Sequence, residues 1–248
     1  MISSSLSGPR SCPPPGRVLP RGAQVSTDQW KSGSMLAMLS KTQQVWRHLT
    51  WGAIEQGQRR WPSITALAAD LGMGISTVHR ALAHPAEIGA IQIRPAGGVR
   101  LVDPGRLLIL WAGHRRLSRD IIERFEVAGS APTVERSITG STAVLGGFGA
   151  VVAHSRGNRI ADYETVVVYG NPNLTPSLHV NDPDPGRVTE VIVARPDPLL
   201  ARYGRVTPLV QAWVDLFCLP GWQAARFVHH LLPSLVTDAI TEHGVLSA

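Results

Sequence analysis

The chain has 248 residues, of which 44% are hydrophobic, and a net charge of +6. That length suits a globular protein of two domains, and the apolar content is ordinary for one. Cys12 and Cys218 are the only cysteines, which excludes a disulfide framework or a cysteine zinc site, and no apolar run is long enough to span a bilayer.

Residues 1–38 are rich in Ser, Pro and Gly, with Arg10, Arg17, Arg21 and Lys31 scattered among them. Such a composition cannot bury a core, so a disordered tail is expected, read as an upstream extension before Met35 or Met38. No continuous apolar segment of signal-peptide type opens the chain, and a reducing, cytoplasmic location is expected. From Ser40, the residues Val45, Leu49 and Ala53 recur at i, i+4 and i+8 with Trp46 close by, which predicts a first helix. Trp51 and Trp61 read as core plugs.

Residues 61–102 carry the most informative pattern. Ser63 can cap a helix that Pro62 prevents from starting earlier, and Ile64, Leu67, Ala68 and Leu71 form one apolar helical face. Gly72-Met73-Gly74 is short and glycine-rich, so a second helix from about Ile75 must cross the first steeply. Val78, Ala81 and Leu82 would pack inward, leaving Ser76, Thr77, His79 and Arg80 outward, where a DNA major groove can use them. Ile91–Arg94 and Val99–Val102 alternate with period two around Pro95–Gly98, which predicts a hairpin. It carries Arg94 and Arg100, one on each strand, within reach of phosphate or a minor groove. Residues 1–102 hold eleven Lys/Arg against four Asp/Glu, whereas residues 103–248 hold thirteen against fourteen. The basicity therefore belongs to the segment with the two helices and the hairpin, and it favours a polyanionic partner, double-stranded DNA. No lipid-binding helix pattern points to a membrane.

Further along, Asp103-Pro104 ends the hairpin and Arg106–Arg116 starts a helix with Leu107, Leu108, Leu110 and Trp111 on its apolar face. Residues 121–127 read as a strand and Ser141–His154 as a small-residue helix. Val166–Tyr169 and Val188–Val193 are β-branched runs of strand length, and Pro208–Phe217 and Gln223–Leu232 read as two helices split by Leu219-Pro220-Gly221. The expected fold class is thus α/β or α+β: a tail over 1–38, a winged helix-turn-helix over 39–103, and a mixed α/β domain over 104–248.

The segments LGMGISTVHRAL and EIGAIQIRPAGGVRLVDP resemble the winged-helix repressors of bacteria, including the GntR-like group. Two departures stand out: Gly74 occupies the position where such families usually place a capping serine, and Pro85 interrupts the second helix, which is therefore expected to be short. LLILWAGHRR, ITGSTAVLGGFGAVVAH with ETVVVYG, and RVTPLVQAWVDLFCLPGWQAARFV resemble, in pattern and order, the AbiEi family of type IV toxin–antitoxin antitoxins. That resemblance implies a repressor of its own operon, with a C-terminal domain that counters a nucleotidyltransferase-like toxin. A dimer is compatible with this reading.

Two other functions compete with it. Gly140-Ser141 followed by Asp162 and Glu164 echoes the phosphate-binding turn and paired carboxylates of a nucleotidyltransferase. Alternatively, the second domain of a repressor could sense a small ligand. His229 and His230 would diverge on a helix, Asp182 and Asp184 lie in a proline-rich loop, and His154, His179 and His243 lack partners at ligand spacing. No catalytic set, metal or cofactor is expected.

Overall fold

The computed structural model describes residues 39–95, 98–139, 142–171 and 186–237. The expected N-terminal tail, Cys12, Gly140-Ser141, His179, Asp182, Asp184 and His243 lie outside them. The fold is mixed α/β, with two sheets and eight α-helices among the described residues.

Helix α1 (Lys41–Glu55) starts where Ser40 Oγ accepts from the Gln43 amide, and nine of its fifteen residues are buried. A helix buried on so many sides must be sheathed by several neighbours: the helices Ile75–Glu87, Pro104–His114 and Leu209–Phe217 all pack against it. Val45 and Leu49 are fully buried, each burial stabilising the fold by roughly 1.5–3 kcal/mol. Helix α2 (Ile64–Leu71) is capped by Ser63, whose Oγ accepts from the Ala66 amide at 3.0 Å. It ends at Gly72, whose left-handed φ of 61° lets the Gly72 and Met73 amides reach back to the Ala69 and Ala68 carbonyls.

Helix α3 (Ile75–Glu87) begins at Gly74, which offers no side-chain cap, and it runs thirteen residues straight through Pro85. The expectation of a short helix is corrected here. A proline in the last turn removes one amide and leaves the carbonyl four residues earlier without its partner. That carbonyl, of Ala81, accepts instead from Trp46 Nε1 at 2.7 Å.

A three-stranded antiparallel sheet, in the order β1-β3-β2, follows from Arg60–Trp61, Val99–Leu101 and Ile91–Ile93. Trp61, Val99, Ile91 and Leu101 face the core, so the alternate residues face out. Helix α4 (Pro104–His114) starts with Asp103 Oδ1 accepting from the Arg106 amide at 2.8 Å.

The second sheet has the order β4-β7-β6-β5, built from Ile121–Ala128, Val188–Ala194, Thr165–Tyr169 and Val144–Gly146. β6 and β7 pair in parallel and the outer pairs are antiparallel. Val166, Val168, Val191 and Val193 join the main core on one face, while Val167, Tyr169, Ile192 and Ala194 pack with Leu117 and Leu200 on the other. Cover on both faces is why β6 and β7 read as continuous apolar runs.

Ser141–His154 is not one helix. Val144–Gly146 is strand β5, and helix α6 spans only Gly147–His154. Gly147 turns the chain at φ 51°, where a Cβ would stand 3.0 Å from the Val167 side chain. Helix α5 (Ala131–Thr139) had no sequence expectation, and α8 (Trp222–Thr237) continues through Pro233. Helix α7 (Leu209–Phe217) opens against α1: Glu55 Oε1 accepts from the Val210 amide at 3.1 Å.

The main core is continuous from Leu39 to Leu235. Two buried arginines bind its parts together. Arg47 on α1 donates to both carboxylate oxygens of Asp197 at 2.7 Å and to Gln211 Oε1 at 2.9 Å, and its guanidinium lies 4.8 Å from the Tyr203 ring centre. Arg115, after α4, donates to Asp120, Asp215 and Tyr169 Oη.

Candidate nucleic-acid interface

The α2–turn–α3 pair and the first sheet bring their polar residues to the surface. On α3, Val78, Ala81 and Leu82 are buried as expected, Ser76, His79 and Arg80 are exposed, and Thr77 is half-buried. Arg80 Nε reaches back to the Ser76 carbonyl at 3.4 Å, which lays its guanidinium along the first turns of α3.

The register of the first sheet adds a residue that the sequence reading missed. Arg60 on β1 lies directly opposite Arg100 on β3, and Arg100 lies opposite Gln92 on β2. Arg94 shares that outward face, since it pairs with Gly98 two residues beyond Gln92. The outward face of this sheet therefore carries three guanidinium groups and an amide. The only sequence signal for Arg60 was its place beside Trp61. Nothing local announces that a two-residue strand will pair with residue 100.

The carboxylates of this part are engaged elsewhere. Glu55 accepts from the Val210 amide, and Glu87 pairs with His84 at 3.4 Å. Asp103 caps α4 and meets Arg106. Asp70 is shared between His48 Nε2 at 2.9 Å and Arg202 at 3.0 Å. Arg202 also donates to the Asp70 carbonyl at 2.7 Å, so a side chain from the C-terminal half clamps the end of α2. Burial lowers the pKa of His48, against the pull of Asp70. Arg60, Arg80, Arg94 and Arg100 form no ion pair with a described carboxylate. A surface with four unneutralised guanidinium groups attracts anions, and guanidinium geometry suits phosphate oxygens.

Elsewhere, Asp162 and Glu164 are exposed and lie in the loop before β6, not on the strand. Glu164, but not Asp162, lines a cavity of about 170 Å³ with Arg124, Tyr163 and Glu190. His154 contacts the Thr207 carbonyl through Nε2 at 2.8 Å. His229 and His230 diverge into two different cavities. Among the described residues no three His, Cys, Asp or Glu side chains gather as a metal site, and no helix is long and apolar enough to cross a membrane. Comparison with protein-family models, curated proteins and solved structures finds no match.

Proposed function

We propose that the protein is a sequence-specific DNA-binding repressor that uses α2, α3 and the first sheet as a winged helix-turn-helix. In this reading the exposed face of α3 enters the major groove, where Ser76, Thr77, His79 and Arg80 meet base edges or flanking phosphates. The hairpin is the wing, and Arg94 and Arg100, joined by Arg60, hold phosphates beside it. The observation that carries the proposal is the set of four arginines without acidic partners among the described residues, on a segment, residues 39–103, whose own carboxylates are engaged by other groups. The more specific form is an autoregulating, cytoplasmic antitoxin, supported by the AbiEi-like order of the segments between 104 and 232. Its C-terminal half would then meet a nucleotidyltransferase-like toxin.

The test is fluorescence anisotropy of the full chain with labelled duplex from upstream of its own gene and with a scrambled duplex. Four phosphate contacts predict a log–log salt slope of about −3.6, which amounts to roughly a hundredfold loss of affinity between 50 and 200 mM salt. Preference for the upstream duplex together with that slope supports the repressor. Affinity that is independent of salt overturns it.

A further inference from the structure

A second basic concavity lies far along the chain from the first. Ser155, Asn158, Arg159, Ile160, Arg226 and His230 line an open concavity of about 410 Å³ between the α6–β6 connection and α8. Arg226 and His230 stand one turn apart on α8 and share a face, which turns adjacent His229 toward an apolar groove lined by Trp213 and Phe217. On the opposite wall, α6 ends tightly. Arg156 takes φ 55°, the one positive φ of a non-glycine among the described residues, and Gly157 takes φ 88°. The Arg156 and Gly157 amides close on the Ala153 and Val152 carbonyls at 3.2 and 2.9 Å, and the Asn158 amide on the Ser155 carbonyl at 3.1 Å. That reversal places Asn158 and Arg159 beside α8.

Among the described residues no carboxylate lines the concavity, and none forms an ion pair with Arg159, Arg226 or His230. The acid whose field reaches Arg159 is Glu135 on α5, and its carboxyl accepts from Tyr163 Oη at 2.9 Å. Two guanidinium groups lining one concavity give it a positive potential that favours an anion. Guanidinium forks bind carboxylate or phosphate through paired N–H groups, and here an imidazole, a hydroxyl and an amide add donors from other directions. Donors converging from two walls suit the several oxygens of a phosphate better than the two coplanar oxygens of a carboxylate. The volume exceeds that of a bare phosphate and falls in the range of small-molecule sites. Among the described residues Ile160 is the single apolar side chain of the lining, and no Phe, Tyr or Trp lines it as a platform for a nucleobase.

We propose that this cavity binds the phosphate group of a small, soluble, polar phosphomonoester, with Arg159 and Arg226 as the charge-bearing clamps and His230, Ser155 and Asn158 as further donors. The site does not depend on the DNA-binding reading.

Isothermal titration of the full chain with ribose 5-phosphate and with inorganic phosphate, at matched ionic strength in chloride, tests it. Saturable one-site binding is expected, weakened at least tenfold by Arg226→Ala or Arg159→Ala, partly retained by Arg226→Lys and unchanged by Arg124→Ala, which removes an exposed arginine paired with Glu190. Arg159 and Arg226 are exposed, and unchanged circular dichroism of the variants checks that they fold. Lack of saturable binding, or equal binding by the alanine variants, overturns the proposal. It is equally overturned if Arg226→Ala weakens binding of duplex DNA while ribose 5-phosphate and phosphate do not bind, because the cavity would then be a stretch of nucleic-acid surface.

Discussion

The indole N–H of Trp46 on α1 donates to the Ala81 carbonyl on α3 at 2.7 Å, and that carbonyl is the one Pro85 leaves without a helical amide. A side chain 35 residues away thus completes the backbone bonding of a helix that a proline would otherwise end. Trp46→Phe keeps much of the ring volume but removes the donor, and it should cost about 1–3 kcal/mol by leaving a buried carbonyl unsatisfied. In the Pro85→Ala background a restored amide serves Ala81, so the same change should cost less. Urea unfolding of the four proteins of this cycle measures the coupling. Equal costs in both backgrounds would refute the compensation.

Arg47 and Asp197 are both buried and held in a bidentate pair. Asp197→Ala leaves a buried cation unpaired and should cost roughly 3–5 kcal/mol, whereas replacing both partners with apolar residues should cost clearly less. The same packing predicts that residues 39–103 alone do not fold, since α1 would lose α4 and α7. Circular dichroism of that fragment should show a largely unfolded chain, and a cooperative thermal transition would contradict this.

Arg60 and Arg100 face each other across two strands. Like charges directly opposite destabilise a sheet by roughly 0.2–1 kcal/mol. Arg60→Ala should therefore raise stability slightly while lowering the magnitude of the salt slope of DNA binding by about one. A residue kept for stability alone would move both quantities differently, so chemical denaturation and salt titration of the variant settle the role of Arg60.

Glu135 is packed behind Tyr163, and a Cβ at Gly149 would stand only 2.5 Å from Glu135 Oε1. Burial raises its pKa from 4.5 to about 7, against the opposing hydrogen bond from Tyr163 and the field of Arg159. Between those values the folded chain keeps a proton that the unfolded chain has released. This group's contribution is therefore fully present below pH 4.5 and is lost as pH rises through 7. Glu135→Gln keeps an acceptor for Tyr163 without the charge, and it should stabilise the protein at pH 8 by about 3 kcal/mol. It should have little effect at pH 4.5. Denaturant unfolding across that range checks the sign.

Local chemistry determined a good part of this protein. Ser63, the Ile64–Leu71 stripe and Gly72 placed α2 because caps and helical periodicity act within a few residues, and the β-branched runs placed β6 and β7 by the same logic. The outward positions of Ser76, His79 and Arg80 followed from the phase of Val78, Ala81 and Leu82. Where local signals were ambiguous or outweighed, the tertiary structure decided. Val144–Gly146 became a strand because β6 offered its edge, despite the small-residue pattern that suggested helix. Helix α3 outran Pro85 because Trp46 supplied a donor from another helix. The order β4-β7-β6-β5, the pairing of Arg60 with Arg100, the burial of Arg47 against Asp197 and the placing of Arg159, Arg226 and His230 around one concavity all join residues about 20 to 150 positions apart. Periodicity and capping reach only three or four residues along a chain. Contacts at those longer separations are selected by the packing of whole elements, and they exist only once the core has closed.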